Sequence, residues 1–293
     1  MTALAAAATD AVGELQPWVW TPRPDVMLLV VVLVGGYSYA LSTWGPRLTA
    51  QRPVATASQR WFFLLGVGVL WAAAGGPIDH IGETYLVSVH MVQFMLLTLV
   101  APPLLLLGLP GWLLRNLLVH SPAYRIVRAL TRQLPAIVLF NFVIVFTMWP
   151  VVVEVYLRNG LAHFGMHALW VTAALIWWWP ILSPLPELPH LSYPRRMLHL
   201  FAQSFVPTVP ASFLTFSSEP LYRFYAEAPR LWGLSAVVDQ RVAGLLMKIG
   251  AGLLLWAVIA ALFFRWHHEE ETGAPDWVYW RDAASELDDA PLS

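Results

Sequence analysis

Hydrophobic residues in this chain occur in long runs that short polar segments separate. Seven of these runs approach or exceed the ~20 residues that an α-helix needs to cross ~30 Å of hydrocarbon. They cover residues 26–44, 59–76, 84–107, 134–153, 160–182, 196–216 and 239–265. The pattern predicts an all-α membrane protein with seven transmembrane helices.

The polar stretches at the two ends set the predicted organisation. Residues 1–25 carry Asp10 and Glu14 and lack the basic start of a secretory signal, so we expect a retained extracytoplasmic leader. Residues 26–266 are predicted to form one seven-helix transmembrane domain. Residues 267–293 are acidic and are predicted to form a flexible cytoplasmic tail.

The distribution of arginine predicts the orientation. The loops at 45–60, 108–133 and 183–196, together with the tail and Arg265, hold eleven arginines. The leader and the remaining loops hold five, which are Arg23, Arg158, Arg223, Arg230 and Arg241. Because cytoplasmic loops carry the excess of positive residues, the N-terminus is predicted outside and the C-terminus in the cytoplasm.

Composition narrows the class further. The chain is 58% hydrophobic and 12% charged, with a mean hydropathy of +0.60, whereas about 25% of the residues in a soluble domain are charged. It contains no cysteine, which excludes disulfides, thiolate metal sites, iron–sulfur clusters and thiol redox chemistry. The net charge of -1 and the lack of a basic cluster give no sign of nucleic-acid binding.

Polar side chains interrupt three of the apolar runs near the ends predicted to face outward. The third run begins with His90, Met91, Gln93 and Met95. In the fifth run, His163, Met166, His167 and Trp170 share one stripe of a helix. The seventh run begins at Asp239.

Imidazoles and thioethers at one depth of a membrane predict a metal site, because polar groups there are costly. Without thiolates, this donor set suits copper, with Cu(I) favoured by soft sulfur ligands. The candidate ligands are His90, His163, His167, Met91, Met95 and Met166. Asp239 is expected to orient one imidazole by accepting its N–H. Alternatively, the histidines only hydrogen-bond across helices, a contact worth about 0.6 kcal/mol.

The other aromatic and imidazole groups are expected to lie at the membrane surface. His120, His190, His199, His267 and His268 fall on the predicted cytoplasmic side and are expected to be solvated or interfacial. Tryptophans at the predicted helix ends, including Trp177, Trp178 and Trp179, are expected to form interfacial belts.

Three segments carry a resemblance to a known family. They are HMVQFMLLTLVAPPLLLLGLP at 90–110, IWWWPIL at 176–182 and EPLYRFYAEAPRLWGLSAVVDQRVAGLLMKIG at 219–250. Together they resemble the CtaG family of cytochrome c oxidase assembly factors, a polytopic group of the bacterial cytoplasmic membrane. The resemblance runs from Trp18 to about Trp266.

The resemblance implies a non-enzymatic role in maturing a haem–copper oxidase, linked to its copper. The implied partners are the oxidase subunits and membrane lipid. Phe94 stands where family members commonly show a second histidine, so His90 is the only imidazole of its helix.

Two other functions remain open from the sequence. A haem- or quinone-binding electron carrier would use bis-His ligation across two helices, which His90 and His163 or His167 would supply. A copper transporter would suit intramembrane Met and His, although the sequence displays neither an inverted repeat nor a broken helix pair.

Overall fold

The computed structural model describes residues 16–20, 23–49, 53–119 and 121–272, and this part of the chain is helical with short connections. Each helix is numbered in chain order. The first seven are α1 Pro24–Leu48, α2 Ala57–Gly75, α3 Pro77–Thr84, α4 Val87–Gly108, α5 Gly111–Leu114, α6 Tyr124–Leu130 and α7 Gln133–Thr147. The remaining six are α8 Pro150–Leu157, α9 Gly160–Leu182, α10 Tyr193–Gln203, α11 Thr208–Phe216, α12 Arg223–Glu227 and α13 Ala236–Thr272.

Five helical stretches are long and apolar enough to cross a membrane. They are α1, α2 with α3, α4, α9 and α13, and a sixth is added if α6 and α7 count as one span. The all-α membrane class is therefore confirmed. Seven spans and the direction of the termini stay predictions, although helices occupy every one of the seven predicted runs.

Two of the predicted spans are made of shorter pieces, because proline separates them. In the fourth, α7 ends at Thr147 and α8 begins at Pro150. In the sixth, α10 ends at Gln203 and α11 begins directly after Pro207. Proline has no N–H and cannot continue the helical hydrogen-bond ladder. Both breaks lie within runs that the hydrophobic pattern predicts as single helices.

Pro102 and Pro103 do not end α4, which continues to Gly108. A π-helical turn at Leu96–Val100 precedes them, and the Ala101 N–H reaches back to the Leu96 carbonyl. The Thr98 carbonyl faces Pro102, which has no N–H to offer. Nε1 of Trp178 donates to that carbonyl instead, at 3.0 Å. A side chain from α9 thus fills the gap that proline leaves in α4.

The tryptophans and one histidine near the predicted cytoplasmic end are more buried within the protein than expected. Trp177 and Trp178 are 0% and 1% exposed, and Trp179 is also buried, so these three pack in the protein core instead of facing lipid as a belt. His199 is buried as well, and its Nε2 lies 3.1 Å from the Trp177 carbonyl. Pairing with that carbonyl satisfies one ring nitrogen out of water, whereas the sequence placed this ring in solvent or at the membrane interface.

Close helix contacts are made where glycine removes a side chain. A Cβ added to Gly108 would lie 2.4 Å from the backbone nitrogen of Phe63, so α4 meets the backbone of α2 there. The Tyr37 hydroxyl donates to the Gly108 carbonyl at 3.0 Å and ties α1 to the same point. These contacts fix α1, α2 and α4 around one end of the core.

The last helix extends beyond the predicted domain. At 37 residues, α13 is the longest of the helices in the described segments. It runs through the first six residues of the predicted tail to Thr272, so this part of the tail is helical. Residues 273–293 and most of the predicted leader, 1–15, lie outside the described residues.

Candidate functional site

Two helices present pairs of functional side chains one turn apart. α3 starts with Pro77 at a position that suits proline, and Asp79 and Glu83 follow four residues apart on it. α9 is capped by Asn159, whose side-chain oxygen accepts from the backbone N–H groups of the second and third residues beyond it. The first turns of α9 then carry His163 and His167, again four residues apart.

The two pairs meet in the interior. Nε2 of His163 lies 2.9 Å from Nε2 of His167, 2.6 Å from Oε1 of Glu83 and 4.0 Å from Oδ1 of Asp79. The ligand atoms of Asp79, His163 and His167 all lie within 4.8 Å of one another. All three residues are at most 5% exposed. We call Asp79, Glu83, His163 and His167 the His–carboxylate cluster.

Arg23, at the start of α1, adds a positive charge next to the carboxyl groups of the cluster. Its guanidinium lies 2.9 Å from Oδ2 of Asp79 and 3.1 Å from Oε1 of Glu83, and it also pairs with Asp25 at 3.2 Å. Partial burial opposes the charged form, but the hydrogen bond to Asp25 and the charges of Asp79 and Glu83 raise the pKa of Arg23 above its usual value. Arg23 is therefore a permanent cation against the carboxylates.

α4 holds α3 in position through Gln93 and His90. Nε2 of Gln93 donates to Oδ1 of Asp79 at 2.6 Å and to the Ala73 carbonyl at 2.9 Å. A Cβ on Gly82 would lie 3.1 Å from the Cα of His90, so the two backbones are nearly in contact. The Tyr225 hydroxyl donates to the Gly82 carbonyl at 2.6 Å. Contacts from α4 and α12 thus determine where the carboxylates of α3 lie.

His90 lies beside the cluster and has its own partner. Its ring centroid is 6.1 Å from that of His163, which is 4.3 Å from that of His167. Nε2 of His90 lies 3.0 Å from the Tyr156 hydroxyl. Its Nδ1 is buried and has no hydrogen-bond partner among the described residues. The three histidines named from the sequence are neighbours, but His90 is not among the groups whose ligand atoms converge.

The methionines named from the sequence pack as hydrophobic side chains. Met91 and Met166 belong to the buried core. The thioether of Met95 lies against Gly250 of α13, where an added Cβ would be 3.3 Å from its methyl carbon and 3.7 Å from its sulfur. Five residues along a helix turn Met95 by about 140° from His90. Met95 therefore faces a different helix from the His–carboxylate cluster.

Asp239 contacts backbone rather than an imidazole. Its carboxylate accepts from the N–H of Val87 at 2.7 Å and from the N–H of Ser88 at 3.2 Å. The first N–H groups of a helix have no partner within it, and a negative charge is favourable there. In the structure Asp239 thus caps α4 from α13, whereas the imidazoles are paired with Glu83 and Tyr156.

Four residues of the site, Arg23, Asp79, Glu83 and Tyr156, were not predicted from the sequence. Asp79 and Glu83 were assigned to a loop, although the spacing of four behind Pro77 is a signal for one face of a short helix. Arg23 was assigned to the leader and lies 56 residues from Asp79. For Arg23 and Tyr156 the sequence carries no local signal, since only the packing of the helices brings them here.

An apolar cavity of about 240 Å³ adjoins the cluster. Side chains of α1, α2, α4 and α9 line it, including Val26, Leu70 and Leu97, and His167 contributes to its wall. The cavity therefore connects one imidazole of the cluster with a hydrophobic space between α1 and α9.

The arrangement offers two imidazole nitrogens and two carboxylates within reach of one another. Such a set can bind a divalent cation, because imidazole and carboxylate are the usual nitrogen and oxygen ligands of transition metals. It can also move a proton between Glu83 and His163. The nearby cation Arg23 balances part of the negative charge.

The chain is similar to one known protein family and to two curated proteins. The model of a family described as cytochrome c oxidase caa3 assembly factor (Caa3_CtaG) matches residues 35–269. Similar curated proteins include the uncharacterized protein Mb0105 of Mycobacterium bovis and the uncharacterized protein MT0111 of Mycobacterium tuberculosis. Each is 27% identical over 230 residues, which cover 71% of this chain and 34% of the relative. The chain thus spans about a third of the length of these relatives. No solved structure matches it.

Proposed function

Because the chain belongs to the Caa3_CtaG family of cytochrome c oxidase assembly factors, we propose that it helps to mature a haem–copper oxidase by holding or passing copper. The role is non-enzymatic, and its partners are the oxidase subunits and membrane lipid. The family match supports the assembly role. The copper part rests on the His–carboxylate cluster, because this is where metal-binding donors converge among the described residues.

The residues that would hold the ion are His163 and His167, with Asp79 or Glu83 as oxygen ligands. Imidazole nitrogens bind transition metals at about 2.0–2.1 Å, and the 2.9 Å between the two Nε2 atoms needs only a small opening to admit an ion. Of the common divalent first-row metals, Cu²⁺ binds a given nitrogen and oxygen site most tightly. The convergent donors therefore favour Cu²⁺, whereas a thioether ligand from Met91 or Met166 would favour Cu(I).

The transmembrane arrangement we propose has seven spans, with the N-terminus outside and the cluster near the outer leaflet. The eleven-to-five distribution of arginine supports this direction. Helices at all seven apolar runs support the number. In this arrangement the first turns of α4, α9 and α13 lie at one depth, on the side where copper would be received.

Metal loading tests the copper proposal directly. Detergent-purified protein treated with Cu²⁺ and desalted should retain about one copper per chain, with nitrogen hyperfine structure in its electron paramagnetic resonance spectrum. Replacement of both His163 and His167 by Ala should remove this copper. The loss in affinity should exceed the roughly 10–100-fold that removal of a ligand's hydrogen-bond partner causes.

A matched control is His190→Ala, since His190 is exposed in the loop before α10 and remote in sequence from the cluster. This variant should keep the wild-type copper content. Equal copper in the wild type and in the double histidine variant, at equal folded fraction, would leave hydrogen bonding as the role of these histidines. A thioether role would be seen as copper retained only under reducing conditions and lost in Met166→Leu.

Oxidase activity tests the assembly role separately. A strain that lacks this chain should still make the oxidase subunits but should have lowered oxidase activity, because the enzyme is incompletely matured. Added copper should restore part of the activity if copper is what the chain delivers. Normal oxidase activity in a deletion strain without a second copy would reject the assembly role whatever the metal result.

One observation favours a second candidate, a quinone-binding electron carrier. The apolar cavity beside His167 is the kind of space that a lipid-borne quinone would enter, with its carbonyl near the imidazole. A haem carrier is less favoured, because Nε2 of His163 and Nε2 of His167 face each other at 2.9 Å from one helix. An absorption spectrum of the purified protein, with extraction of bound quinone, separates these possibilities from copper binding.

A further inference from the structure

A second polar site lies at the other end of the helices, where α6 meets α7. The axes of these two helices differ by 84°. If α7 crosses the membrane, α6 must therefore run nearly parallel to the membrane surface. Arg125, Arg128 and Arg132 lie on or directly after α6. Their charges are consequently placed at the depth of lipid headgroups.

A cavity of about 290 Å³ opens beside this bend. Arg128, Arg132 and Gln133 line it, together with Trp179 and with residues 187–189 and 191 of the following loop. The indole N–H of Trp179 is buried and has no hydrogen-bond partner among the described residues. The cavity is thus bordered by positive charge and by hydrogen-bond donors.

The loop that forms part of the cavity wall is held in place by hydrogen bonds. The Ser183 hydroxyl donates to the Leu188 carbonyl, and the Leu185 N–H donates to the Ser183 oxygen at 3.2 Å. The Leu191 N–H reaches the Pro180 carbonyl at 2.8 Å. Leu185 and Leu188 are both buried. The wall is therefore preformed and does not have to be ordered by a ligand.

The balance of charge around the cavity is positive. Glu187 is the carboxylate in its wall, and Oε1 of Glu187 pairs with Nε of Arg115 at 2.6 Å. The hydrogen bond from Arg115 holds the pKa of Glu187 below its usual value, so that this pair stays ionised and neutral overall. Within the described segments, Arg128 and Arg132 have no carboxylate partner. Two uncompensated positive charges remain.

We propose that this cavity binds the phosphate of an anionic phospholipid, with Arg128 and Arg132 as the phosphate ligands. Arginine offers several N–H donors in a plane and pairs well with phosphate oxygens. Basic pockets at the cytoplasmic ends of transmembrane helices are a common way to hold such headgroups. The arginine distribution predicts that this end of the helices is cytoplasmic.

The position of the cavity favours a lipid over a soluble phosphate compound. Its arginines lie on an element parallel to the membrane surface, and α7 begins within it and leads into the hydrocarbon. A phospholipid can therefore place its phosphate at the arginines while its acyl chains remain beside α7. This inference does not depend on copper or on the oxidase.

Lipid binding by the purified full chain tests the proposal. Phosphatidylglycerol or phosphatidylcholine is added in mixed micelles, and bound lipid is measured by native mass spectrometry together with the thermal midpoint. Wild-type protein should prefer phosphatidylglycerol by ~10-fold or more, since each basic residue near an anionic lipid contributes to binding. The double variant Arg128→Gln, Arg132→Gln should lose this preference.

The matched control is the double variant Arg125→Gln, Arg195→Gln, which removes the same charge from neighbouring exposed positions that do not line the cavity. It should retain the preference. The variant Arg128→Lys, Arg132→Lys keeps the charge, so retained binding there together with loss in the Gln variant separates charge from folding. Equal loss in both Gln variants would overturn the proposal, as would equal binding of the two lipids. A saturable thermal shift by inorganic phosphate alone, as large as that by phosphatidylglycerol, would also overturn it.

Discussion

Charge is the property that distinguishes the residues of the His–carboxylate cluster from the surrounding core. Asp79 and Glu83 place two carboxyl groups beside the cation Arg23 in a mostly buried environment. Asp25 adds a further negative charge at the edge. Coulomb interactions are several-fold stronger in such surroundings than in water. An entering cation would therefore be attracted to the place that Arg23 now partly occupies.

Replacement of Arg23 by Gln should weaken the metal-free protein and strengthen metal binding. Without Arg23, the two buried carboxyl groups lose their cationic partner, so unfolding should become easier. The effect should be smaller than the ~3–5 kcal/mol that breaking a fully buried ion pair causes, because the Arg23 side chain keeps 19% of its exposure. Thermal melting with and without Cu²⁺ should show a lower midpoint without metal and a larger metal-induced rise than wild type.

The control for Arg23 is Arg47→Gln, an exposed arginine near the end of the same helix. It should change neither the midpoint nor the metal-induced rise. If Arg23→Gln binds Cu²⁺ more weakly than wild type, Arg23 acts as a support for the site rather than as a competitor of the ion.

At the scale of elements, the sequence predicted which residues share one face of a helix. It did not predict which helices contact each other. The positions of His163 and His167 on one face of α9 followed from the sequence, because a spacing of four is a local property. The position of α3 did not, because it depends on Gly82 meeting the backbone of His90 and on Gln93 reaching Asp79. These are contacts between residues that only the packed structure brings together.

Substitution of Gly82 by Ala should displace α3 and disturb the cluster without touching any of its four members. The added Cβ would meet the Cα and nitrogen of His90 at 3.1 Å, and backbone atoms of a packed helix cannot easily give way. Overpacking of this kind costs about 1–3 kcal/mol. We expect a lower thermal midpoint and reduced copper content in the purified variant.

Gly68→Ala provides a matched comparison, since nothing lies within 4 Å of a Cβ at that position in α2. It should keep the wild-type midpoint and copper content. If Gly82→Ala keeps both as well, α3 is free to shift and its position does not determine metal binding.

At the scale of the whole molecule, the class of fold followed from composition and apolar run length, whereas the internal breaks and the polar clusters did not. Hydropathy measures how apolar a segment is, and a long apolar segment predicts a membrane helix. The structure has helices at all seven predicted runs. Hydropathy does not register whether proline splits a run, as at Pro150 and Pro207, or whether a bend turns α6 away from α7. The predicted direction of the chain through the membrane depends on the unequal distribution of arginine between the two sets of loops.

Single cysteines test that direction without interference, because the chain has none of its own. Cysteine at Arg223 should react with a membrane-impermeant maleimide added to intact cells, since this residue is predicted outside and its side chain is 80% exposed. Cysteine at Arg125, which is exposed on the opposite predicted side, should react only after the membrane is opened. The reverse pattern would place the His–carboxylate cluster on the cytoplasmic side.

α13 connects the two sides of the molecule as one continuous rod. Asp239 accepts a hydrogen bond from the first residue of α4, near His90. Thr272 lies 33 residues further along α13, a distance of about 50 Å. In a rod of this length, a small rotation at one end produces a large displacement of the other end. A tilt of about 10° about the end at Asp239 would move the far end by about 9 Å. A change at the contact between Asp239 and Val87 that tilts α13 would consequently appear as a much larger displacement at Thr272.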